Sequence, residues 1–202
     1  GSISMSEWQS YFIWHILIGT ADLLPKNLVD EKFDFYGRIV SGQPRIKDRL
    51  KRVIIMMNYH IGEAIGKLFV KKYFPQNAKQ RAEELVQNLI VTMGERIDNL
   101  AWMSAATKKE ARKKLAAITI KIGYPSKWID YSNWKTGASY LETALLARRF
   151  EWQREMDKIN KPVDCTEWLM SPQTVNAYFE PLKNEIVFPA GILQPPFFYD
   201  DA

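Results

Sequence analysis

The hydrophobic periodicity of this chain changes once, near Pro162, and that change limits the possible fold more than any other sequence feature. Before Pro162, apolar residues recur at the three- and four-residue spacing of amphipathic helices. After it, short β-branched and aromatic segments are separated by prolines. We therefore predict a mainly α-helical chain, a set of several helices followed by a short β-hairpin.

The helical part divides at its prolines, glycines and caps. Thr107-Lys108-Lys109-Glu110 has the capping-box pattern and should begin the fifth helix. Ser126–Thr136 is predicted to be an irregular loop. The six predicted helices lie around Trp8–Ile16, Leu28–Val40, Arg45–Phe74, Ala78–Met103, Thr107–Lys121 and Ala138–Asn160.

The part after Pro162 contains two predicted strands, Thr174–Phe179 and Glu185–Phe188, joined by a turn that contains Pro181. Further prolines prevent regular structure beyond the second strand. The segment Ile186–Tyr199 is strongly apolar. An exposed apolar segment of this kind usually marks an interface, so we expect it to be covered.

The reactive side chains are few. Cys165 is the single cysteine, which excludes an internal disulfide and a multi-cysteine metal site. His15 and His60 are the two histidines, too far apart for the helical His pair of many zinc enzymes. This inventory therefore excludes a multi-cysteine metal site and a zinc site built on a helical His pair.

Net charge and hydropathy limit the kinds of binding partner that the chain can have and whether it can cross a membrane. The 28 Lys and Arg exceed the 23 Asp and Glu by a modest +5, spread along the chain, so we predict no nucleic-acid partner. No apolar run reaches the roughly 18–20 residues of a membrane-spanning helix, so we predict none. Gly1-Ser2 is typical of an expression remnant, which leaves export and a cytoplasmic location both open.

Several single residues have a structural and a functional interpretation. His60 and Glu63 have the spacing of a helical metal pair, but without a second pair a structural role is favoured. Cys165 has no neighbour that would activate its thiol. Asn176, taken alone, is more typical of a turn or register position than of a binding residue.

A long block near the carboxyl end resembles a known family. Asn176-Ala177-Tyr178 followed by Asn184–Phe198 (NEIVFPAGILQPPFF) is similar to the signature of the neprilysin and endothelin-converting-enzyme family of zinc metallopeptidases, whose bacterial members include oligopeptidase O. The resemblance covers nearly the whole chain. Other matching segments, in the family's order, are Phe33–Gly37, Leu50–Arg52, Gly66–Val70, Leu100–Met103, Thr107-Lys108, Lys121–Pro125 and Lys161–Asp164.

The resemblance implies a two-lobed enzyme with an α-helical cap lobe and a thermolysin-like α+β catalytic lobe that binds zinc. Residues 1–163 would then be part of the cap, and residues 164–202 would begin an incomplete catalytic domain. The family's His-Glu-x-x-His helix follows the Pro-Pro-Phe-Phe segment, and a third ligand lies further downstream. We therefore expect zinc in the complete enzyme, none bound by this chain, and no activity from this chain alone.

The resemblance also implies binding residues. Asn176 and Ala177 match the family's pair on an edge strand that hydrogen-bonds the peptide backbone. A small Ala lets that backbone approach, and the Asn amide offers both a donor and an acceptor. Ile192 and Phe197 match positions that line the hydrophobic pocket for the side chain after the scissile bond. From residue type alone, these two are equally compatible with core packing.

Two functions remain as hypotheses. In the first, the chain is part of a zinc endopeptidase or oligopeptidase that hydrolyses small peptides, and it supplies the cap and the substrate-binding strand. In the second, it is a non-catalytic interaction module that pairs with a separate catalytic half. The expected partners are peptide substrates and the remainder of the catalytic domain, in the same or another chain.

Overall fold

The computed structural model describes residues 3–200, so Gly1-Ser2 and the last two residues, Asp201 and Ala202, lie outside the described part of the chain. Helices dominate it, as predicted. Its regular elements are α1 (Met5–Thr20), a 3-10 turn (Ala21–Leu23), α2 (Lys26–Lys32), a π-helix (Phe33–Val40), α3 (Arg49–Tyr73), α4 (Gln76–Asn99), α5 (Ala105–Ala116), β1 (Thr119–Gly123), α6 (Tyr140–Met156), β2 (Tyr178–Glu180) and β3 (Glu185–Pro189).

Proline and capping residues set the helix ends. Pro25 and Pro75 directly precede α2 and α4, where a missing N–H costs no hydrogen bond. Helix α1 begins with a capping box, in which the Ser4 hydroxyl accepts from Glu7 N–H and the Glu7 carboxylate accepts from Ser4 N–H. Helix α3 is kinked at Ile61 (φ −133°, ψ 34°).

The predicted start of the fifth helix is wrong by one turn. The cap is Ser104, whose Oγ accepts from Thr107 N–H at 3.2 Å, so Thr107 lies inside α5. The physical reason is that Ala105 and Ala106 are strong helix formers and extend the helix toward the preceding serine.

The predicted end of that helix is also wrong. Helix α5 ends at Ala116, and Thr119–Gly123 forms strand β1, which pairs in parallel with β3. Thr119 faces Glu185 and Gly123 faces Pro189 in this register. The segment is rich in β-branched residues, which suit a pleated strand, but its partner lies far downstream and outside any local sequence window.

The predicted hairpin is confirmed, although the first strand begins four residues later than predicted and both strands end one residue later. Strand β2 pairs antiparallel with β3, and the sheet order β1-β3-β2 places β2 at an edge. The first predicted strand, Thr174–Phe179, is too long at its start, because Thr174 N–H donates to Ser171 O in a turn. Asn176 and Ala177 therefore precede β2 instead of lying within it.

The chain forms two compact units. Unit 1 comprises residues 1–60 and 132–161, and unit 2 comprises residues 61–131 and 162–202. These units differ from the cap and catalytic lobes inferred from the family resemblance. The boundary between residues 163 and 164 therefore stays a prediction.

Unit 2 has a well-defined apolar core that includes part of the Ile186–Tyr199 segment. Ala78, Ala82 and Val86 of α4 and Ala190 of the turn after β3 pack around Phe74 and Ile122. This packing brings helix α4 and the sheet close together. The expectation that this segment is covered is confirmed for Val187, Ala190 and Leu193, which are buried in the unit itself. Phe197 and Tyr199 remain more than half exposed.

Two helices expose much apolar surface. Helix α1 has no buried residue, although aromatic and aliphatic side chains occur on all its sides. Among residues 3–200, helix α3 is the one helix that is long and apolar enough to cross a membrane by length and composition alone. Core helices of soluble proteins pass the same test, so this is weak evidence for a membrane span.

A buried histidine in unit 1 predicts a pH-dependent stability. His60 on α3 is 8% exposed, and burial lowers its pKa, with Arg148 of α6 lowering it further and Glu151 opposing them. Because the pKa of His60 is lower in the folded state than in the unfolded state, His60 binds a proton at a higher pH in the unfolded state. The free energy of unfolding should decrease as pH falls through about 6.5 and below.

Urea denaturation of the chain at pH 7.5 and 5.5 measures this difference. His60→Gln should show a smaller decrease between the two values than the wild type. His15→Gln, which removes an exposed imidazole, is the matched control. An unchanged decrease in His60→Gln would exclude His60 as its source.

Candidate functional site

The edge of the small sheet carries the residues that the family signature singles out. Asn176 is exposed and Ala177 is partly buried, and both lead directly into the edge strand β2. The Asn176 Oδ1 atom accepts a hydrogen bond from Ala177 N–H at 2.8 Å. The Asn176 side-chain amide thus lies against the neighbouring backbone, directly before the edge strand β2.

A tight turn places this pair. In the turn Ser171–Thr174, Pro172 is fully buried, and its carbonyl accepts from Gly191 N–H at 2.7 Å. The Gln173 Nε2 atom donates to Gly62 O of α3 at 3.0 Å. The turn is therefore fixed both to the helix and to the loop after β3.

Tyr178 anchors the start of β2. Its hydroxyl oxygen accepts from Leu169 N–H at 2.9 Å. Burial raises the pKa of Tyr178 above its ordinary value of 10, and the bond from Leu169 opposes this rise. The phenol is therefore protonated at neutral pH and acts here as a structural anchor.

A buried ion pair lies within the sheet. Lys121 Nζ of β1 is 2.7 Å from Glu185 Oε2 of β3, with side chains 9% and 1% exposed. The ammonium also donates to Glu167 O at 2.9 Å. Because a one-residue slip would separate these buried charges, the pair favours a single register between β1 and β3.

The structure does not bring Ile192 and Phe197 to one cavity. Ile192 packs against the core of unit 2, whereas Phe197 is 68% exposed. Phe197 lines a cavity of about 320 Å³ that is bounded by α3, by the 171–175 segment and by the loop after β3. Its other lining residues are Phe69, Tyr73, Gln173, Val175, Gly191, Gln194 and Pro195.

Sequence reasoning did not identify Phe69 and Tyr73 as cavity residues. The signal was present, since the two aromatic side chains are four positions apart and share one face of α3. Gln194 Nε2 donates to Tyr73 O at 3.1 Å and holds the loop against the end of that helix.

The residues present do not fit a zinc site. Among residues 3–200, no group of three or more His, Cys, Asp or Glu side chains is placed to hold a metal ion. Of the pair considered in the sequence, His60 is buried, and the Glu63 carboxylate accepts from Ile129 N–H at 2.5 Å. That contact gives Glu63 a structural role in holding the 126–136 loop.

The arrangement is suited to binding an extended chain. An edge strand offers main-chain donors and acceptors to an added strand, which gives affinity with little sequence specificity. The neighbouring apolar cavity could accept one side chain of such a segment. These residues can therefore bind an extended segment of chain.

Comparisons with known proteins agree with the sequence signature. Sequence models described as Peptidase family M13 match residues 2–125 and 176–202. Endothelin-converting enzyme-like 1 of Rattus norvegicus is 31% identical over 199 residues, which are 95% of this chain and 26% of that protein. The neutral endopeptidase of Lactobacillus helveticus is 34% identical over 166 residues, which are 81% of this chain and 26% of that protein.

Solved structures share the fold. Zinc metalloprotease Zmp1 of Mycobacterium tuberculosis, in complex with an inhibitor, has a TM-score of 0.88 and 41% identity, over 99% of this chain and 30% of that chain. PepO from Lactobacillus rhamnosis has a TM-score of 0.87 and 31% identity, over 96% and 31%.

The chain spans about a quarter of the length of the curated relatives it matches. Within that span, the family models cover most of the sequence, and the mainly helical fold with its small sheet matches the solved structures. This chain belongs to peptidase family M13, the metallopeptidases that include the endothelin-converting enzymes and bacterial neutral endopeptidases.

Proposed function

We propose that this chain supplies part of the helical cap and the peptide-binding edge strand of a zinc-dependent oligopeptidase. Residues 1–163 would belong to the cap, and residues 164–202 would begin the catalytic lobe. The observation that carries the proposal is the position of Asn176-Ala177 directly before an edge strand, inside a segment matched by the family model.

In this proposal, a small peptide binds in an extended conformation along the outer side of β2. Ala177 permits a close approach of the two backbones, and the Asn176 amide exchanges its local bond with Ala177 N–H for bonds to the peptide. Main-chain pairing of this kind accepts many sequences, as an oligopeptidase requires.

Phe197 and Ile192 have different parts in the proposal. The exposed Phe197 ring contacts an apolar side chain of the peptide at the cavity it lines. Ile192 supports that wall from the core side, where it packs on the cluster around Phe74. The partners are thus a peptide and the remainder of the catalytic domain.

The zinc ligands would come from outside residues 3–200, because the side chains described there do not fit a metal site. The name of the Mycobacterium tuberculosis relative supports zinc as the metal of the whole enzyme. We therefore propose that residues 1–202 alone bind no zinc and cleave no peptide.

Metal analysis and a peptide-cleavage assay test this directly. The 202-residue chain should contain no stoichiometric zinc and should leave a short fluorogenic peptide intact. The whole protein that carries these residues should cleave the peptide and stop when a chelator is added. Chelator-sensitive cleavage by the 202-residue chain would overturn the proposal.

Replacing Asn176 by alanine in the whole protein should raise KM for a short peptide by about tenfold, the loss of one to two hydrogen bonds at roughly 1 kcal/mol each. Steady-state kinetics measures this effect. Asn88→Ala on α4 removes an exposed amide far along the chain and should leave KM unchanged. Equal KM values for both variants would argue against a binding role of Asn176.

A second candidate function is a module that pairs with a separately made catalytic half. Helix α1 favours it, because a helix that is apolar on all sides is normally buried, and this one has no buried residue. Size-exclusion chromatography of the chain with the remaining part of the enzyme should show a complex. A monomer unaffected by that part would count against this function.

A further inference from the structure

The turn Ser171–Thr174 is enclosed by glycines that leave no room for a side chain. A Cβ atom on Gly66 of α3 would lie 2.5 Å from Pro172 Cδ, 2.8 Å from Gln173 Oε1 and 2.9 Å from Pro172 Cγ. A Cβ atom on Gly191 would lie 2.6 Å from Gln173 O and 2.7 Å from Thr174 O. These distances are far below van der Waals contact, so the helix and the β3 loop hold the turn from two directions.

Most of the atoms that these glycines face cannot rotate away, the exception being the flexible Gln173 side chain near Gly66. A proline ring has a fixed φ, and the two carbonyl oxygens are main-chain atoms. Any side chain at Gly66 or Gly191 must therefore move the turn itself. The surroundings of Gly62 are less tight, because a Cβ atom there would lie 3.1 Å from Ser171 Cβ. A Cβ atom on Gly19 of α1 would meet no atom within 4 Å.

Two hydrogen bonds add to these glycine contacts, and we call the contacts and bonds together the clamp on the turn Ser171–Thr174. Gly191 N–H donates to Pro172 O at 2.7 Å, and Gln173 Nε2 donates to Gly62 O at 3.0 Å. The turn is thus bonded to the same two segments against which it packs. Its position is set by α3 and by the β3 loop together.

We propose that Gly66 and Gly191, with Gln173, are positioning residues for peptide binding. They fix the turn, and the turn fixes Asn176, which lies two residues after Thr174 at a reach of about 7 Å in an extended chain, and Ala177 directly after it. A small shift of the turn therefore moves the Asn176 amide relative to β2. This inference rests on the proposed function, because it assumes that Asn176 and Ala177 hold the substrate.

The test uses the whole protein with the variant Gly66→Ala. Since misplacement of a binding group by about 1 Å can cost up to 100-fold, we expect KM for a short peptide to rise about tenfold while kcat changes less than twofold. The double variant G66A/P172A removes the two Pro172 ring atoms that lie near the new methyl group. The third close atom, Gln173 Oε1, belongs to a flexible side chain that can rotate away, so KM should return to within about threefold of the wild-type value. Gly19→Ala, with open space around it, is the matched control.

A readout that does not depend on catalysis accompanies the kinetics. Amide hydrogen exchange of the segment 171–177 should be faster in Gly66→Ala and return toward the wild-type rate in G66A/P172A. If Gly66→Ala does not fold, Gly62→Ala supplies the test, with a KM increase of about twofold to threefold that Ser171→Gly reverses.

The outcomes separate this inference from the proposed function. If Asn176→Ala raises KM and Gly66→Ala does not, the clamp is not a positioning device, although the binding site stands. If Asn176→Ala has no effect, the proposed function fails first. If G66A/P172A keeps the high KM, the contact with Pro172 is not the cause and the inference is overturned.

Discussion

Replacing Glu185 by alanine is expected to lower the free energy of unfolding of unit 2 by about 3–5 kcal/mol. The substitution removes the carboxylate that lies 2.7 Å from Lys121 Nζ and leaves an ammonium at a position only 9% exposed. A buried charge without its counter-ion has lost its hydration and gains too little in return. Urea denaturation of the wild type and the variant measures the difference.

The double variant Lys121→Met with Glu185→Leu is the matched control. Replacing both charges by apolar side chains of similar length removes the electrostatic penalty, so the double variant should unfold within about 1 kcal/mol of the wild type or above it. If it were as unstable as Glu185→Ala, the loss would come from packing and not from the unpaired charge.

Phe74→Ala should also cost about 3–5 kcal/mol, for a different reason. Phe74 is 3% exposed and packs in the core with Ala78, Ala82 and Ile122. Its ring lies over Gly123, where a Cβ atom would come within 2.4 Å of it. Truncation would leave a cavity that these small neighbours cannot fill. Thermal or urea unfolding of the chain gives the measurement.

Phe197→Ala is the counterpart that separates core from pocket wall. The ring is 68% exposed, so its removal should change the free energy of unfolding by less than about 0.5 kcal/mol. In the whole protein, the same variant should raise KM for peptides with an apolar side chain. A large loss of stability in Phe197→Ala, with KM unchanged, would assign this ring to packing.

Local sequence signals predicted most of the fold because they act over short distances. Prolines and helical periodicity gave the helices, and the turn with Pro181 gave the hairpin. Strand β1 was not predicted, because whether this segment forms a strand depends on its pairing with β3 and not on its own residues alone. The pattern at Thr119–Gly123 is too short for periodicity to distinguish a strand from the end of a helix.

The candidate site was found through a resemblance, since its residues carry no distinctive chemistry. Asn176 and Phe197 are ordinary residue types, and the signature around them supplied the hypothesis. The clamp could not be predicted at all. Gln173 and Gly62 meet from positions 111 residues apart, and a glycine in a helix does not indicate which atom it makes room for.

The parallel pairing of β1 with β3 has a consequence for synthesis of the protein on the ribosome. Thr119 must wait for Glu185 before its strand can pair, a delay of roughly 3–13 s at about 5–20 residues per second. During that interval, Lys121 has no counter-ion and Ile122 has no sheet to cover it. We therefore expect nascent chains halted before Glu185 to be cut readily by protease in the β1 segment, and chains released after the β3 loop to resist.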